Sequence, residues 1–145
     1  MNNISQHITY SEATRTSAKI DNTPNAQQLE AMRLIAENVF EPLRAMIGVP
    51  IYITSFFRSE KVNATIGGRK SSQHCKGEAM DIKLPGRNKE LFETIRDHLP
   101  FDQLIYEFGT DREPAWVHVS YKAIGNRGEV LRAKMVNGRV VYTRM

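Results

Sequence analysis

The stretch Ser71–Asp81 reads SSQHCKGEAMD: a histidine precedes a glycine, and a short run ending in an aspartate follows. We predict a polar loop around the histidine and a strand over residues 78–83. Alternate residues of a strand share a face, so Met80 and Ile82 point to one side and Asp81 to the other. The aspartate is therefore expected on a face that a ligand can approach.

A second histidine, His118, lies in the segment Trp116–Ser120, which reads WVHVS. The two valines are expected to face the core, which leaves His118 on the opposite face. Zinc accepts histidine nitrogens and carboxylate oxygens, and a catalytic site leaves its fourth position to water. His74, Asp81 and His118 are thus candidate ligands, although a single strand histidine is more often hydrogen-bonded or on the surface.

Around these motifs the sequence predicts helices and strands with short connections. They are a polar lead of about 20 residues, a helix from Thr23-Pro24 to Gly48 with a kink or split at Pro42, a strand over 51–55, helical turns over 59–66, a loop over 69–77, a strand over 78–83, a helix over 88–99, strands over 101–107 and 116–121, and a hairpin of 130–136 and 139–143 turning at Asn137-Gly138. This order favours an α+β fold, an antiparallel sheet with helices packed on one side.

Length and cysteine content limit the architecture and the kind of metal site. The 145 residues suit a single domain over residues 1–145. The lone cysteine, Cys75, excludes an intramolecular disulfide and any zinc site that needs two cysteines from one chain. Because one thiol beside a ligand usually points away from the metal, we expect Cys75 to be a small buried apolar residue.

The net charge of +4 favours anionic partners such as a cell-wall polymer, an anionic lipid or nucleic acid. We expect no nucleic-acid partner, because the basic residues are spread out and not interleaved with aromatics. No segment approaches the ~18 apolar residues of a membrane span. The first residues lack the basic and apolar regions of a signal peptide, so we expect synthesis in the cytoplasm and, for action on the cell wall, a separate release route. We expect a monomer.

The pattern SxHxxGxAxD at Ser72–Asp81 resembles the signature of the zinc D-alanyl-D-alanine carboxypeptidase family, which includes phage and bacterial L-alanyl-D-glutamate endopeptidases. Other segments resemble further motifs of this family in the same order. They are Ser55–Ser59 with Asn63 and Gly67-Gly68 (the arginine segment), Phe101–Glu107 (the strand before the second histidine) and Trp116–Ser120 (the second histidine motif). The resemblance covers most of residues 8–121, and several ordered motifs are more specific than one.

The resemblance implies a fold like that of the hedgehog domain and the D-Ala-D-Ala peptidases. It implies a Zn²⁺ ion held by His74, Asp81 and His118, and a substrate drawn from peptidoglycan stem or cross-link peptides. Arg58 would bind the substrate's carboxylate or help stabilise the oxyanion, through its planar set of donors. Ser72 would orient the ligand loop.

Further residues are expected to line the site. Asn63 belongs to the arginine segment, and Gln103 is a candidate for the wall of the cleft. Many members of the family carry a histidine two residues before the second ligand, where this chain has Trp116. The tryptophan removes a potential donor and offers an apolar or stacking wall instead.

The general base has two candidates, Glu107 and Glu113. Several members of the family carry their acid three residues before the second histidine, a position that is Ala115 here. We favour Glu107, because the end of a strand is better preorganised than a loop. If neither glutamate reaches the metal, the alternative is a non-catalytic zinc-dependent module that binds the cell wall or a partner. A nucleic-acid-binding or phage structural protein is a further alternative, motivated by the charge alone.

Overall fold

The computed structural model describes residues 3–145, which form helices and one sheet. The helices are α1 (Tyr10–Ala13), α2 (Ala26–Ile35), a π-helical segment (Ala36–Phe40), α3 (Glu41–Ile47), α4 (Glu60–Thr65), a short 3₁₀ helix (Gln73–Lys76) and α5 (Asn88–His98). The strands are β1 (Tyr52–Ser55), β2 (Ala79–Lys83), β3 (Gln103–Glu107), β4 (Trp116–Ser120), β5 (Glu129–Val136) and β6 (Arg139–Arg144).

The sheet has the strand order β1-β2-β4-β3-β5-β6. Four of its neighbouring pairs are antiparallel, but β3 and β5 run parallel. The fold is therefore α+β as predicted, while the expectation of a purely antiparallel sheet is wrong at this one pair. The segment from β4 to β5 crosses back to the start of β3, so β5 enters the sheet in the same direction as β3.

The hydrophobic core lies between the helices and one face of the sheet. The strand residues in it alternate along the chain, as expected for a half-buried sheet. On β2, β3 and β4 they are Met80, Ile82, Leu104, Tyr106, Val117 and Val119, and they pack with helix residues such as Met32, Ile35, Val39, Leu43, Leu91, Phe92 and Ile95. The other residues of β2, β3 and β4 face away from this core, and the candidate site is built on that second face.

The predicted first helix is divided into three segments of different geometry. It begins slightly later than predicted, after Asn25, whose side chain forms a reciprocal capping box with Gln28. The predicted split occurs just before Pro42, where a π-helical turn gives way to α3. Proline has no N–H to donate, so the change of helical geometry falls where the regular bonding pattern must be interrupted.

The C-terminal hairpin has the predicted turn. Asn137 and Gly138 both have positive φ, at 51° and 77°, as a type I′ turn requires. This turn fixes the register of β5 against β6 and so decides which residues of β6 lie on the face opposite the core. Within residues 3–145, no helix is long and apolar enough to cross a membrane.

Candidate metal centre

Two of the three predicted ligands are direct cross-strand partners. Asp81 on β2 is paired with His118 on β4, and both lie on the sheet face opposite the core. Cβ atoms of such pairs are about 5 Å apart, so short side chains can meet over the sheet. The Nδ1 atom of His118 lies 3.0 Å from Oδ1 of Asp81.

His74 reaches the same place from the 3₁₀ helix Gln73–Lys76, where a plain loop was predicted. The Ser72 hydroxyl caps this turn by accepting a hydrogen bond from the His74 N–H at 3.2 Å. The turn ends at Gly77, which has φ 75°. A Cβ there would lie 2.5 Å from the carbonyl oxygen of Gln28, so only glycine lets the ligand turn pack this closely on α2.

The three side chains form a group whose ligand atoms all lie within 4.8 Å of one another. The Nε2 atom of His74 is 3.4 Å from Oδ1 of Asp81, the oxygen that His118 also contacts. Two ligands of a tetrahedral zinc ion, each about 2.1 Å from the metal, lie about 3.4 Å apart. The 3.4 Å between Nε2 of His74 and Oδ1 of Asp81 is therefore a separation that two ligands of one zinc ion can have.

The tautomer of His74 supports metal binding. Its Nδ1 atom lies 2.7 Å from the carbonyl oxygen of Phe56, an acceptor, so Nδ1 must carry the proton and donate it. Nε2 then presents a lone pair toward Asp81, and this buried atom has no hydrogen-bond partner. An unpartnered buried nitrogen is costly, and a metal ion is the partner that this arrangement fits.

The charges of the group are those that a cation requires. Burial lowers the pKa of His74, which keeps the imidazole neutral despite the opposing charge of Asp81. Burial alone would raise the pKa of Asp81, but the adjacent imidazoles of His74 and His118 outweigh it and hold that pKa well below its usual range. A neutral imidazole and an ionised carboxylate are the ligand forms that bind zinc.

Arg58 contacts the second carboxylate oxygen of Asp81. One guanidinium nitrogen lies 3.5 Å from Oδ2 of Asp81, Nε donates to the Ser55 hydroxyl at 3.0 Å, and another nitrogen donates to the Asn63 amide oxygen at 3.1 Å. The Asn63 amide in turn donates to the carbonyl of Arg69 at 2.7 Å. Arg58 and Asn63 therefore hold the aspartate and the loop that precedes His74.

Glu107 lies close to the ligands on the neighbouring strand. It ends β3 and is paired with Trp116, while Ile105, two residues earlier, is paired with His118. Its side chain is only 7% exposed. Burial raises its pKa to about 7, an effect that His118 partly opposes and Asp81 reinforces. A carboxyl group that titrates near neutral pH beside a metal group is suited to accept and return a proton.

Glu113 is engaged elsewhere. Its carboxylate accepts a hydrogen bond from the backbone N–H of Lys89 at 3.1 Å, in the first turn of α5. An acidic group is favourable there, because the N-terminus of a helix carries partial positive charge. The loop is tight as well, since a Cβ on Gly109 would overlap the Glu113 carbonyl oxygen. Of the two predicted bases, the structure places only Glu107 in the field of the ligands.

The other predicted residues have separate environments. Trp116 shares the face of His118, is half-buried and packs against Phe108, with ring centroids 5.4 Å apart. Gln103 donates to Glu129 on β5 at 2.6 Å, away from the ligand group. Cys75 is buried and lies outside the group, as expected for a structural thiol.

Three residues near the site were not predicted. Tyr142 on β6 shares the row of Glu107 through Ala133, and the guanidinium of Arg69 lies over the Tyr142 ring at 5.2 Å from its centroid. The alternation of residues in the hairpin predicts which residues share a face with Tyr142. It does not predict that β5 pairs with β3, and this pairing is what brings Tyr142 near the site. The Phe56 carbonyl was also missed, because a backbone acceptor leaves no mark on the sequence.

A His-Asp-His group with a buried His74 and half-buried Asp81 and His118, on the sheet face opposite the core and beside Glu107, defines a candidate zinc hydrolase. The family model described as Peptidase M15 matches residues 6–120, and the chain belongs to this family. M15 peptidases are zinc-dependent, in agreement with the metal-ligating group. No curated protein matches the chain in sequence.

Proposed function

We propose that the protein hydrolyses peptide bonds in the stem or cross-link peptides of peptidoglycan, with zinc held by His74, Asp81 and His118. The observation that carries the metal assignment is the buried, unpartnered Nε2 atom of His74, 3.4 Å from Asp81. Membership of the M15 family supports peptide hydrolysis as the reaction. The peptidoglycan substrate follows from the resemblance of the motifs, which suggests endolysin-like or D,D-carboxypeptidase-like cleavage.

Glu107 is the general base of the proposed reaction. When bound, zinc supplies polarisation of the scissile carbonyl and acidification of a water molecule. The Glu107 carboxylate takes a proton from the attacking water and returns it to the nitrogen of the leaving amine. The burial that raises the pKa of Glu107 favours its acceptance of a proton, and the nearly complete burial of the residue restricts the side chain to few orientations.

Arg58 positions Asp81 and offsets part of its negative charge. Its guanidinium already contacts Asp81, Ser55 and Asn63. Arg58 would therefore help to stabilise the oxyanion as a nearby fixed positive charge. Trp116 forms an apolar wall on the same face.

The net charge fits a polymeric anionic substrate. A charge of +4 favours association with an anionic cell wall and predicts that binding weakens as salt increases. The ligands stand on the sheet face that the core helices leave free.

The test combines zymography on purified peptidoglycan with mass spectrometry of the released peptides. The zinc-loaded protein should clear the gel and release peptides, chelation should abolish both, and one equivalent of zinc should restore them. His74→Ala should be inactive, whereas His98→Ala, a histidine at the end of α5 outside the metal group, should be fully active.

Two outcomes would contradict the proposal in different ways. Undiminished peptide release by chelated protein would show that the reaction does not need the metal. Stoichiometric zinc and binding to peptidoglycan without any released peptide would instead identify a non-catalytic zinc module.

A further inference from the structure

Arg69 is a second arginine near the metal centre, and its guanidinium has a different role from that of Arg58. Its side chain is exposed, and the contact it makes is with the face of the Tyr142 ring, at 5.2 Å from the centroid. The ion pairs found among residues 3–145 involve other basic side chains. The guanidinium edge of Arg69 therefore keeps its N–H donors available to a ligand.

The position of Arg69 is fixed by its backbone. Its carbonyl oxygen accepts from the Asn63 amide at 2.7 Å and from the Ser72 N–H at 3.0 Å. Asn63 also binds Arg58, and Ser72 caps the turn that carries His74. The same contacts that hold the metal ligands thus hold the loop from which Arg69 projects.

Tyr142 approaches the site from the other side. Ala133 is paired with Glu107 on one side and with Tyr142 on the other, so all three lie in one row on one face of the sheet. Adjacent strands are about 4.8 Å apart, which puts Glu107 and Tyr142 about 10 Å apart at the backbone. Between them stands only the methyl group of Ala133, which is completely buried. Larger side chains must therefore cover it.

The causes of the pKa shift of Tyr142 agree with its placement near Glu107. Burial raises the pKa of the Tyr142 hydroxyl, and the carboxylates of Glu107 and Asp81 raise it further, while Arg69 lowers it. The hydroxyl is therefore a neutral donor at physiological pH and lies within the field of the catalytic carboxylates. Tyr142 is nevertheless 39% exposed, so a ligand can reach it.

We propose that Arg69 and Tyr142 form a carboxylate-binding subsite beside the metal centre, which recognises a free carboxylate of the peptide substrate. This inference rests on the proposed peptidase function and deepens it. The guanidinium donates through its planar edge and the phenol through its hydroxyl, a pair of donors that a carboxylate accepts well. Glu107 and Asp81 would repel an anion in this region, so a nearby cation is needed wherever substrate carboxylates bind.

The subsite also offers the substrate a cation whose donors are less engaged than those of Arg58. The resemblance led us to expect that Arg58 binds the substrate's carboxylate, but its donors contact Asp81, Ser55 and Asn63. Arg69 projects from the same anchored loop and has its donors available. Tyr142 lies beyond residue 120, where the family match ends, so the subsite is partly built by the C-terminal hairpin.

The test uses a synthetic stem pentapeptide with a γ-linked D-glutamate and two terminal D-alanines, together with two matched amides. One analogue is amidated at the C-terminus and the other at the glutamate α-carboxyl, which distinguishes the two sources of a free carboxylate. Binding is measured by calorimetry on the full metal-free chain, and hydrolysis on the zinc-loaded protein. Arg69→Gln should weaken binding of the free acid about tenfold, the effect of one charge-assisted hydrogen bond.

Three comparisons decide the outcome. Tyr142→Phe should weaken binding of the acid by about threefold through loss of one hydroxyl donor. One of the two amides should lack the carboxylate that the subsite recognises. The wild type should bind this amide as weakly as the Arg69→Gln variant binds the acid, and Arg69→Gln should not weaken its binding further. Lys70→Gln removes an adjacent exposed charge and should leave the binding of all three peptides unchanged.

Equal effects of Arg69→Gln and Lys70→Gln would overturn the subsite, since they would reveal only an effect of net charge. Equal binding of the acid and both amides to the wild type would also overturn it. Failure of the proposed function is recognised separately. In that case the zinc-loaded wild type hydrolyses none of the three peptides, while the binding arm still tests the subsite by itself.

Discussion

The two faces of the β2–β4 pair use neighbouring residues of the same strands for opposite purposes. On one face Met80, Ile82, Val117 and Val119 are completely buried against the helices. On the other, Asp81 and His118 stand opposite each other and form two-thirds of the metal group. Because a slip of one residue would exchange the faces, the buried residues fix the register that brings the two ligands together.

The comparison separates residues that fold the protein from residues that act. The buried Nε2 atom of His74 has no hydrogen-bond partner, and burial and the two histidines shift the pKa of Asp81 in opposite directions. The apolar side chains of the core are in neither situation. The buried valines and isoleucine contribute apolar burial and have no functional group. Substitutions of the metal ligands should therefore remove metal and activity at little cost in the stability of the metal-free protein, and substitutions on the core face should do the reverse.

Neighbouring residues on β4 provide the strongest test of this contrast. His118→Ala removes a ligand, so zinc content should fall far below one equivalent and peptidase activity should drop by about a thousandfold or more. Val119→Ala should lower the free energy of unfolding by about 2 kcal/mol yet keep zinc content and activity within a few-fold. Zinc analysis, denaturant unfolding and peptide release measure the three quantities. Equal losses of stability and activity in both variants would remove the distinction between the faces.

Two glutamates give the next largest effect. Glu107→Gln keeps the shape of the side chain but removes the base, so activity should fall by about 100- to 10,000-fold while zinc remains bound. Glu113→Gln should leave activity within about threefold. It should cost only about 0.5 kcal/mol of stability, since it removes a charge at the start of α5. Activity that depends on Glu113 and not on Glu107 would reverse the assignment.

The local pattern of the sequence predicted a large part of the fold. The alternation of β2 and β4 predicted which of their residues face the core, and Asn137-Gly138 predicted the turn of the hairpin, which the structure confirms. The three proposed ligands depended on the family resemblance as well, because spacing alone left an ordinary surface role open for each histidine. The structure brings them into one group.

The features that the sequence did not predict depend on contacts between distant parts of the chain. The parallel pairing of β3 with β5 has no signature in either strand, and it is this pairing that brings Tyr142 into the row of Glu107. The environment of Glu113 depends on the start of α5, 24 residues away along the chain. The raised pKa of Glu107 likewise comes from its burial in the folded protein, which its position in the sequence does not predict.

The last prediction concerns stability alone, namely the free-energy cost of ionising the Glu107 carboxyl group on the metal face. In the metal-free protein the pKa of Glu107 is about 7, against an unperturbed value of 4.5. The folded state therefore holds this proton more tightly than the unfolded state, and the resulting stabilisation is complete below pH 4.5 and is lost as the pH rises through 7. A difference of this size corresponds to about 3 kcal/mol.

Glu107→Gln mimics the protonated form and should escape this loss. In metal-free protein the variant should exceed the wild type in unfolding free energy by about 3 kcal/mol at about pH 8.5, and by under about 1 kcal/mol at about pH 5. Zinc should shrink the difference at the higher pH, because a cation beside Glu107 favours its ionised form. Urea unfolding at the two pH values, with chelator and with zinc, measures all four cases. A pH-independent difference would mean that the substitution has changed the packing at this position and not the ionisation of Glu107, so the metal face would carry no electrostatic cost at this residue.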